Sequence, residues 1–347
     1  MIASASAESY QKTIETILPS PEVDAMIVIY IPIDRNDSGD IAEAIRNGVT
    51  NARAAGAETK PVVACLMSDS GSRLVINGRE TIPSYRFPES TARVLSKAAN
   101  YAEWRAKPLA MVPGFSDLRV DAAREVVTAA LKTRGDSWLT TTEVRAILSS
   151  FGIPSVPGIL ARTSDEAARA ASSIGFPVAL KLASQRVLHK TEVGAVRLNI
   201  QGEDAVRRVF DEIKQEGMEG ILVQKMISDG VELMIGVAPD SLFGPLIAFG
   251  LGGIHVEILA DVRFRVTPLT DQDAHEMVRE IRGYRLLEGY RGHAPADVKA
   301  IEEILLRVSR LVEEIPEIRE LDLNPIFGLP PGQGCLVADA RIRIASG

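Results

Sequence analysis

The stretch Pro177–Gly194, PVALKLASQRVLHKTEVG, holds the residue types best placed for chemistry in this 347-residue chain. It opens within an apolar run, Phe176 to Leu182, whose one charged side chain is Lys181. A loop with His189 and Lys190 follows and closes on Gly194, and a second strand-like run spans Ala195 to Ile200. A lysine near the end of a strand, followed by a basic loop with a glycine, suits a polyphosphate. The ammonium is a point charge for phosphate oxygens, and the loop can turn backbone N–H groups toward the same oxygens. The competing reading is a strand lysine that only snorkels its amine to the surface.

The rest of the chain must supply the frame for that stretch. Its length suggests two or three domains and is ample for a proper core. Aromatic residues make up only 5% of the chain while Ala, Val and Ile are plentiful, which suits an α/β protein. The net charge is −7 with both signs well mixed, so nothing resembles a nucleic-acid footprint. Cys65 and Cys335 each sit in an apolar run, far apart in sequence, which reads as reduced thiols rather than a disulfide. No apolar run reaches membrane-spanning length, and the N-terminus lacks a signal-peptide pattern. A soluble cytoplasmic protein is expected.

Residues 1 to about 115 read as one small doubly wound domain. The spacing predicts a helix over Tyr10–Leu18, a buried strand over Ala25–Ile31, a helix over Ile41–Ala55 with Ser38 or Asp40 as its cap, a strand over Pro61–Met67, a short extended piece over Ile82–Phe87 and a helix from Pro88 to Trp104. No GxGxxG fingerprint occurs in it. Residues 116–136 read as a linker containing one helix, Asp121–Lys132.

A second domain is expected over 137–347, divided into subdomains 137–227 and 228–347. Thr163-Ser-Asp-Glu166 has capping-box spacing ahead of a helix, and Gly220–Met226 reads as a strand. Val231–Val237 is expected to run antiparallel to it, and Leu246–Gly253 is a strand ending in a glycine-rich turn. Helices are expected over Asp271–Arg282 and Ala296–Glu314. Ile318–Ile326 and Gly334–Arg341 are expected to form a hairpin around Pro330-Pro-Gly332.

Several segments taken in order, GFPVALKLAS, HKTEVGAVRL, GILVQKMISDGVELMIG, FGLGGIHVEILADVRFRVTPL, and ELDLNPIF followed by LVADARI, resemble ATP-grasp proteins. Within these they resemble the NDP-forming (ADP-forming) acyl-CoA synthetases, relatives of succinyl-CoA synthetase. The resemblance covers residues 137 to about 345, and VDAMIVIYIPI with IPSYRFPESTARVLSKAANYAEWR resembles the flavodoxin-like ligase domain of those enzymes. It implies phosphoryl transfer with ATP/ADP and Mg²⁺, with CoA as a substrate of the complete enzyme. Lys181 matches the family lysine on the nucleotide phosphates, with Lys190 as a second cation. Val223, Gln224, Lys225 and Met226 match the strand end that meets the adenine, and Glu232 matches the acid on the ribose. Asn324 and Asp339 match the Mg²⁺ ligands. Asp322 shares a face with Asn324 by the strand period of two. His189 matches the loop histidine associated with a phosphohistidine relay; neutral imidazole is a competent nucleophile. Arg265 is a candidate for neutralising transferred phosphate, with a structural salt bridge as the other reading. His255 lies just after Gly252-Gly253, near where phosphate is expected. His275 and His293 read as surface residues.

The resemblance also marks what is missing: neither a CoA-binding Rossmann domain nor a Gly-His-Ala-Gly phosphohistidine loop occurs in the sequence. A partner domain or subunit, and an oligomer, are therefore expected. Two further readings stay open, an ATP-grasp carboxylate–amine ligase and a non-catalytic ATP-binding module like those fused to protein acetyltransferases.

Overall fold

A computed structural model of the chain describes residues 5–32, 38–57, 59–67, 74–75, 81–183, 195–253, 261–290, 292 and 294–346. They fall into two units, Met1–Leu109 and Ala110–Gly347.

The first unit contains α1 (Ala7–Ile17), β1 (Met26–Tyr30), α2 (Ser38–Ala54), β2 (Val62–Leu66), β3 (Leu74–Val75), β4 (Thr81–Ile82), β5 (Ser84–Tyr85) and α3 (Pro88–Ala106). β1, β2 and β5 form a parallel sheet in that order. Every residue of β2 is buried, because helices cover both faces. Val62, Ala64 and Leu66 join the core with Ile14 of α1 and Ile45 and Val49 of α2, while α3 lies on the other face, its one buried residue being Thr91. Gly48 lets α1 and α2 approach closely: a Cβ there would lie 3.0 Å from the Gln11 carbonyl oxygen. The expected helices and strands occur here within a few residues of their predicted ends. Ser38 and Asp40 stand in the first turn of α2, and the residue before it lies outside the described residues.

The second unit begins with α4 (Val120–Arg134), β6 (Ser137–Trp138), α5 (Thr141–Ser150), β7 (Gly158–Ala161), α6 (Ser164–Ile174), β8 (Val178–Ala183), β9 (Val196–Ile200), α7 (Glu203–Ile213) and β10 (Gly220–Lys225). It continues with β11 (Val231–Asp240), β12 (Gly244–Leu251), β13 (Val262–Val266), α8 (Asp271–Glu280), α9 (Tyr284–Leu287), α10 (Val298–Glu314), β14 (Ile318–Gly328), β15 (Cys335–Val337) and β16 (Ala340–Ile344). A four-stranded sheet has the order β7-β10-β8-β9 and is covered by α6 and α7. A larger sheet has the order β13-β12-β11-β14-β16-β6, with β15 also pairing β14, and buries one face under α8 and α10.

Three expectations change. The helix of residues 116–136 is no linker: Ala123, Val127 and Ala130 of α4 sit in the core of the large sheet. Residues 137–157 also belong with that sheet, since β6 pairs β16 and Val144, Ile147 and Leu148 of α5 enter the same core. Finally, Val231–Val237 does not pair with Gly220–Met226. β10 lies between β7 and β8, whereas β11 lies between β12 and β14 of the other sheet. Alternation identifies a half-buried strand but not its partner. Gly230, with φ of +112°, turns the chain between the sheets.

Helix starts follow the sequence closely. Full capping boxes form at Thr140/Glu143 and Thr270/Asp273. At α6 the Thr163 hydroxyl accepts from Glu166 N–H at 3.2 Å, but the Glu166 carboxylate accepts from Arg162 N–H instead of closing the box. The Pro330-Pro-Gly332 turn joins β14 to β15 as expected, held by Asp297, whose carboxylate accepts from Gly332 N–H at 2.8 Å. Both cysteines are free and buried, and burial pushes the Cys335 thiol up to about 12. Among the described residues no helix is long and apolar enough to cross a membrane.

Candidate functional site

The small sheet explains how Lys181 is presented. Val178, Leu180 and Leu182 of β8, with Ile221 and Val223 of β10, pack against α6 and α7. By the strand period of two, Ala179 and Lys181 then face the opposite way. Across the ladder Lys181 pairs Leu222 and Ala179 pairs Gln224, so Gln224 shares the Lys181 face. Lys181 is 9% exposed and Gln224 only 2%. Gly158 leaves room for that glutamine: a Cβ there would lie 2.7 Å from Gln224 Cγ.

The large sheet brings up the oxygen ligands. Leu321 and Leu323 of β14 point into the core, which turns Asp322 and Asn324 to the open face. Leu323 pairs Ile235 and Ile326 pairs Leu233, so β14 has one residue more than β11 between these pairs. The surplus is a bulge at Asn324-Pro325, a device that re-aims a side chain. It is held by two hydrogen bonds from the segment between β15 and β16: Asn324 N–H donates to Asp339 C=O at 3.1 Å, and Ala338 N–H donates to Pro325 C=O at 3.0 Å. Asp339 therefore sits in the break between two strands that both pair β14, rather than within an adjacent strand.

The two sheets meet at this point. Lys181 Nζ donates to Ala338 C=O at 2.9 Å, which sets the ammonium beside the residue preceding Asp339. Lys181, Asp322, Asn324 and Asp339 are thus brought together from four sequence positions. Asp322 titrates above the usual carboxylate range, first because it is buried and also because Asp339 repels its charge, while Arg341 pulls the other way. Two carboxylates and an amide oxygen form a hard-oxygen donor set that fits Mg²⁺. A divalent cation there would offset both the burial of the Asp322 charge and its repulsion by Asp339. Among the described residues no group of three or more His, Cys, Asp or Glu converges anywhere, so the set here is two carboxylates completed by the Asn324 amide.

The remaining candidates divide. Glu232 is exposed on the open face of β11, and Gly253, with φ of +62°, passes so near that a Cβ there would overlap its carboxylate. Glu232 stands four residues before Gly236, the partner of Asp322, or about 13 Å along the strand. Val223 buries its side chain in the core, and its backbone lies between Ile159 and Leu180 of the neighbouring strands. Lys225 is exposed and Met226 half-buried, and their N–H groups already donate to Pro157 and Pro177 carbonyls. His189, Lys190 and His255 lie outside the described residues.

Arg265 is not brought to the site. It pairs Ile247, which pairs Val237, which pairs Leu321, so it belongs to the core-facing row of the sheet. Its guanidinium reaches over to α8 and meets Glu280 at 2.8 Å, with Asp273 and Glu276 at 3.9 Å. The salt-bridge reading holds for it. The cation that sequence reasoning missed is Arg341, which pairs Asp322 directly on the open face. Its signal was the alternation of ADARI, where Ile342 enters the core and Arg341 must face outward.

Residues 130–344 match the ATP-grasp domain family. Acetate–CoA ligase [ADP-forming] I of Archaeoglobus fulgidus is 36% identical over 94% of this chain and 47% of its own length. Acetate–CoA ligase [ADP-forming] I subunit beta of Pyrococcus furiosus is 38% identical over 65% of this chain and 98% of its own length. The solved dinucleotide-forming acetyl-coenzyme A synthetase 1 of Ca. Korarchaeum cryptofilum, in complex with coenzyme A and Ca-AMPCP, is 43% identical with a TM-score of 0.60, over 64% of this chain and 99% of that one. In a further complex with Mg-AMPPCP its phosphohistidine segment points towards the nucleotide-binding site. The chain spans about half the length of full-length curated relatives. It belongs to the ATP-grasp proteins and, within them, to the family of the ADP-forming acetate–CoA ligases.

Proposed function

We propose that this chain is the nucleotide-binding and phosphoryl-transfer part of an ADP-forming acyl-CoA synthetase. The overall reaction is acyl-CoA + ADP + Pi ⇌ carboxylate + CoA + ATP. The observation that carries the reading is the Lys181–Ala338 hydrogen bond at 2.9 Å, because it fixes a phosphate-type cation on the backbone next to Asp339, in the segment that holds the Asn324 bulge. Phosphoryl transfer is mostly positioning plus charge neutralisation, and this arrangement offers both. The Lys181 ammonium holds phosphate oxygens. Asp322, Asn324 and Asp339 would hold Mg²⁺, which supplies neutralisation of the phosphate charge. Gln224 and the end of β10 line the base, and Glu232 accepts from ribose hydroxyls. His189, with Lys190 beside it, is assigned the carrier role: an imidazole nitrogen bonds to the terminal phosphorus as the bond to the ADP oxygen breaks, and the reverse step makes ATP.

Unit 1 is read as the flavodoxin-like ligase domain. A CoA-binding, phosphohistidine-bearing domain or subunit completes the enzyme, in an oligomer of the cytoplasm. The acyl group is selected largely by that other part.

Incubation of the purified chain with Mg²⁺ and γ-³²P-ATP, beside the His189→Ala variant, tests the carrier assignment. Acid-labile, base-stable label that is lost in the variant is expected. Label that persists in the variant overturns the assignment to His189. If the chain binds ATP but gains no label, adding the partner domain decides whether the acceptor histidine lies there.

A further inference from the structure

A further cavity is lined by residues other than those of the nucleotide face. A cavity of about 570 Å³ opens between the outer side of α5 and the segment that follows it, lined by Arg145, Ala146, Ser149, Pro154 and Ser155 among others. Its volume is in the range of small-ligand pockets. Arg145 is half-buried here, and its Nη1 donates to Val156 C=O at 3.2 Å. A guanidinium has five N–H donors in a planar fork, so most of them have no acceptor among the described residues. No carboxylate among those residues pairs with it, unlike Arg265, Arg307 and Arg343. Burial alone lowers its pKa, with no neighbouring charge contributing. A half-buried cation without a counter-charge is an unfinished arrangement.

The other lining groups complete a recognisable chemistry. The Ser155 hydroxyl has no partner among the described residues, and Ser149 Oγ accepts from Arg119 Nη2 at 3.2 Å while keeping its own proton to donate. Ala146 and Pro154 add an apolar wall. The floor is rigid: Val156 N–H donates to Val337 C=O and Val337 N–H to Pro154 C=O, both at 2.9 Å. From these residues we infer that the α5 cavity binds a small organic anion, whose carboxylate or phosphate head takes the Arg145 fork and the Ser149 and Ser155 hydroxyls and whose apolar body rests on Ala146 and Pro154. Arginine is the side chain suited to planar, two-pronged capture of either head group. None of the residues lining the cavity belongs to the nucleotide assignment, which rests on Lys181 and the Asp322 group.

The test is a ¹H–¹⁵N NMR titration of the full chain held in excess Mg²⁺ and AMPPCP, which occupies the nucleotide face. Benzoate and phenyl phosphate are the probes, and benzyl alcohol is the uncharged control. Saturable shifts of the Ser149 and Ser155 amides with at least one anion are expected, and which anion gives them identifies the head group. Arg145→Gln should weaken that binding about tenfold or more, and Arg145→Lys less, at unchanged Tm. Should Arg145→Gln fail to fold, Ser155→Ala serves instead, with a loss of about threefold. Absence of saturable shifts from both anions, equal shifts from benzyl alcohol, or unaltered affinity in the variants would overturn the inference.

Discussion

The two faces of the large sheet are made from the same strands, yet they have opposite chemistry. On one face a cross-strand row runs Arg265, Ile247, Val237, Leu321, and it is covered by helices. On the other the next row runs Phe264, Ala248, Gly236, Asp322, Arg341, and it lies outside the helix-covered core of the described residues. A step of one residue separates the rows. Arg265 and Arg341 are alike in type and stand on one sheet. One can only snorkel to carboxylates of α8, and the other stands beside a carboxylate proposed to hold metal. Residue type proposes a role, and strand parity decides whether the side chain can reach it.

The largest expected effect comes from the residue that joins the open face to the small sheet. Lys181→Met should lower phosphoryl transfer by about 100-fold, as removal of one preorganised charge-stabilising donor does elsewhere. It should also destabilise the fold by about 1–3 kcal/mol, because Ala338 C=O loses a buried partner. Transfer assays and denaturant melts measure the two losses separately.

Asp322→Asn should act in opposite directions on binding and stability. Mg²⁺-dependent nucleotide affinity, read by calorimetry, should fall about tenfold with one charged ligand removed. Without metal the variant should melt higher than wild type at pH 7. The sign follows from linkage: a carboxyl raised on folding favours the native state when protonated, and that contribution is lost as pH rises through its folded value. The advantage of the variant should therefore shrink as pH falls toward the usual carboxylate range. A variant that melts lower at every pH would refute this account of Asp322.

Gly252→Ala probes the turn that crosses near Glu232. Its Cβ would meet Leu233 C=O at 2.8 Å and Leu233 N at 2.9 Å. A loss of about 1–3 kcal/mol is expected from overpacking, seen as a lower denaturation midpoint. The smallest effect separates the two arginines. Arg265→Met should leave nucleotide affinity unchanged and cost at most about 1 kcal/mol, in keeping with a partly exposed ion pair. Arg341→Met should weaken nucleotide affinity and push the Asp322 carboxyl further up. Equal effects from the two variants would erase the distinction between the faces.

Much of the site was legible in the linear chain because its marks are local. A lone lysine within an apolar strand, paired Asp and Asn at a spacing of two, and capping and turn residues depend on neighbours only. The strands and helices followed for the same reason, since period and caps are read within ten residues or so. Pairing was less legible. Alternation marked Val231–Val237 as a strand but was silent on its neighbours, and the helix at residues 120–134 carried no sign of the core it enters. The two readings of Arg265 stayed level for the same cause: its place near a promising block says nothing about which row its strand joins.

By itself the sequence determined the type of most elements and the family to which the chain belongs, and it named the residues proposed for phosphate and metal. Tertiary structure alone decided which sheet received β11, which face Arg265 and Arg341 occupy, and that Ala338 would accept from a lysine 157 residues away. The physical reason is range. Propensity and periodicity act between neighbours along the chain, whereas register, bulges and the meeting of two sheets are set by contacts between distant segments that become favourable only when both are already in place.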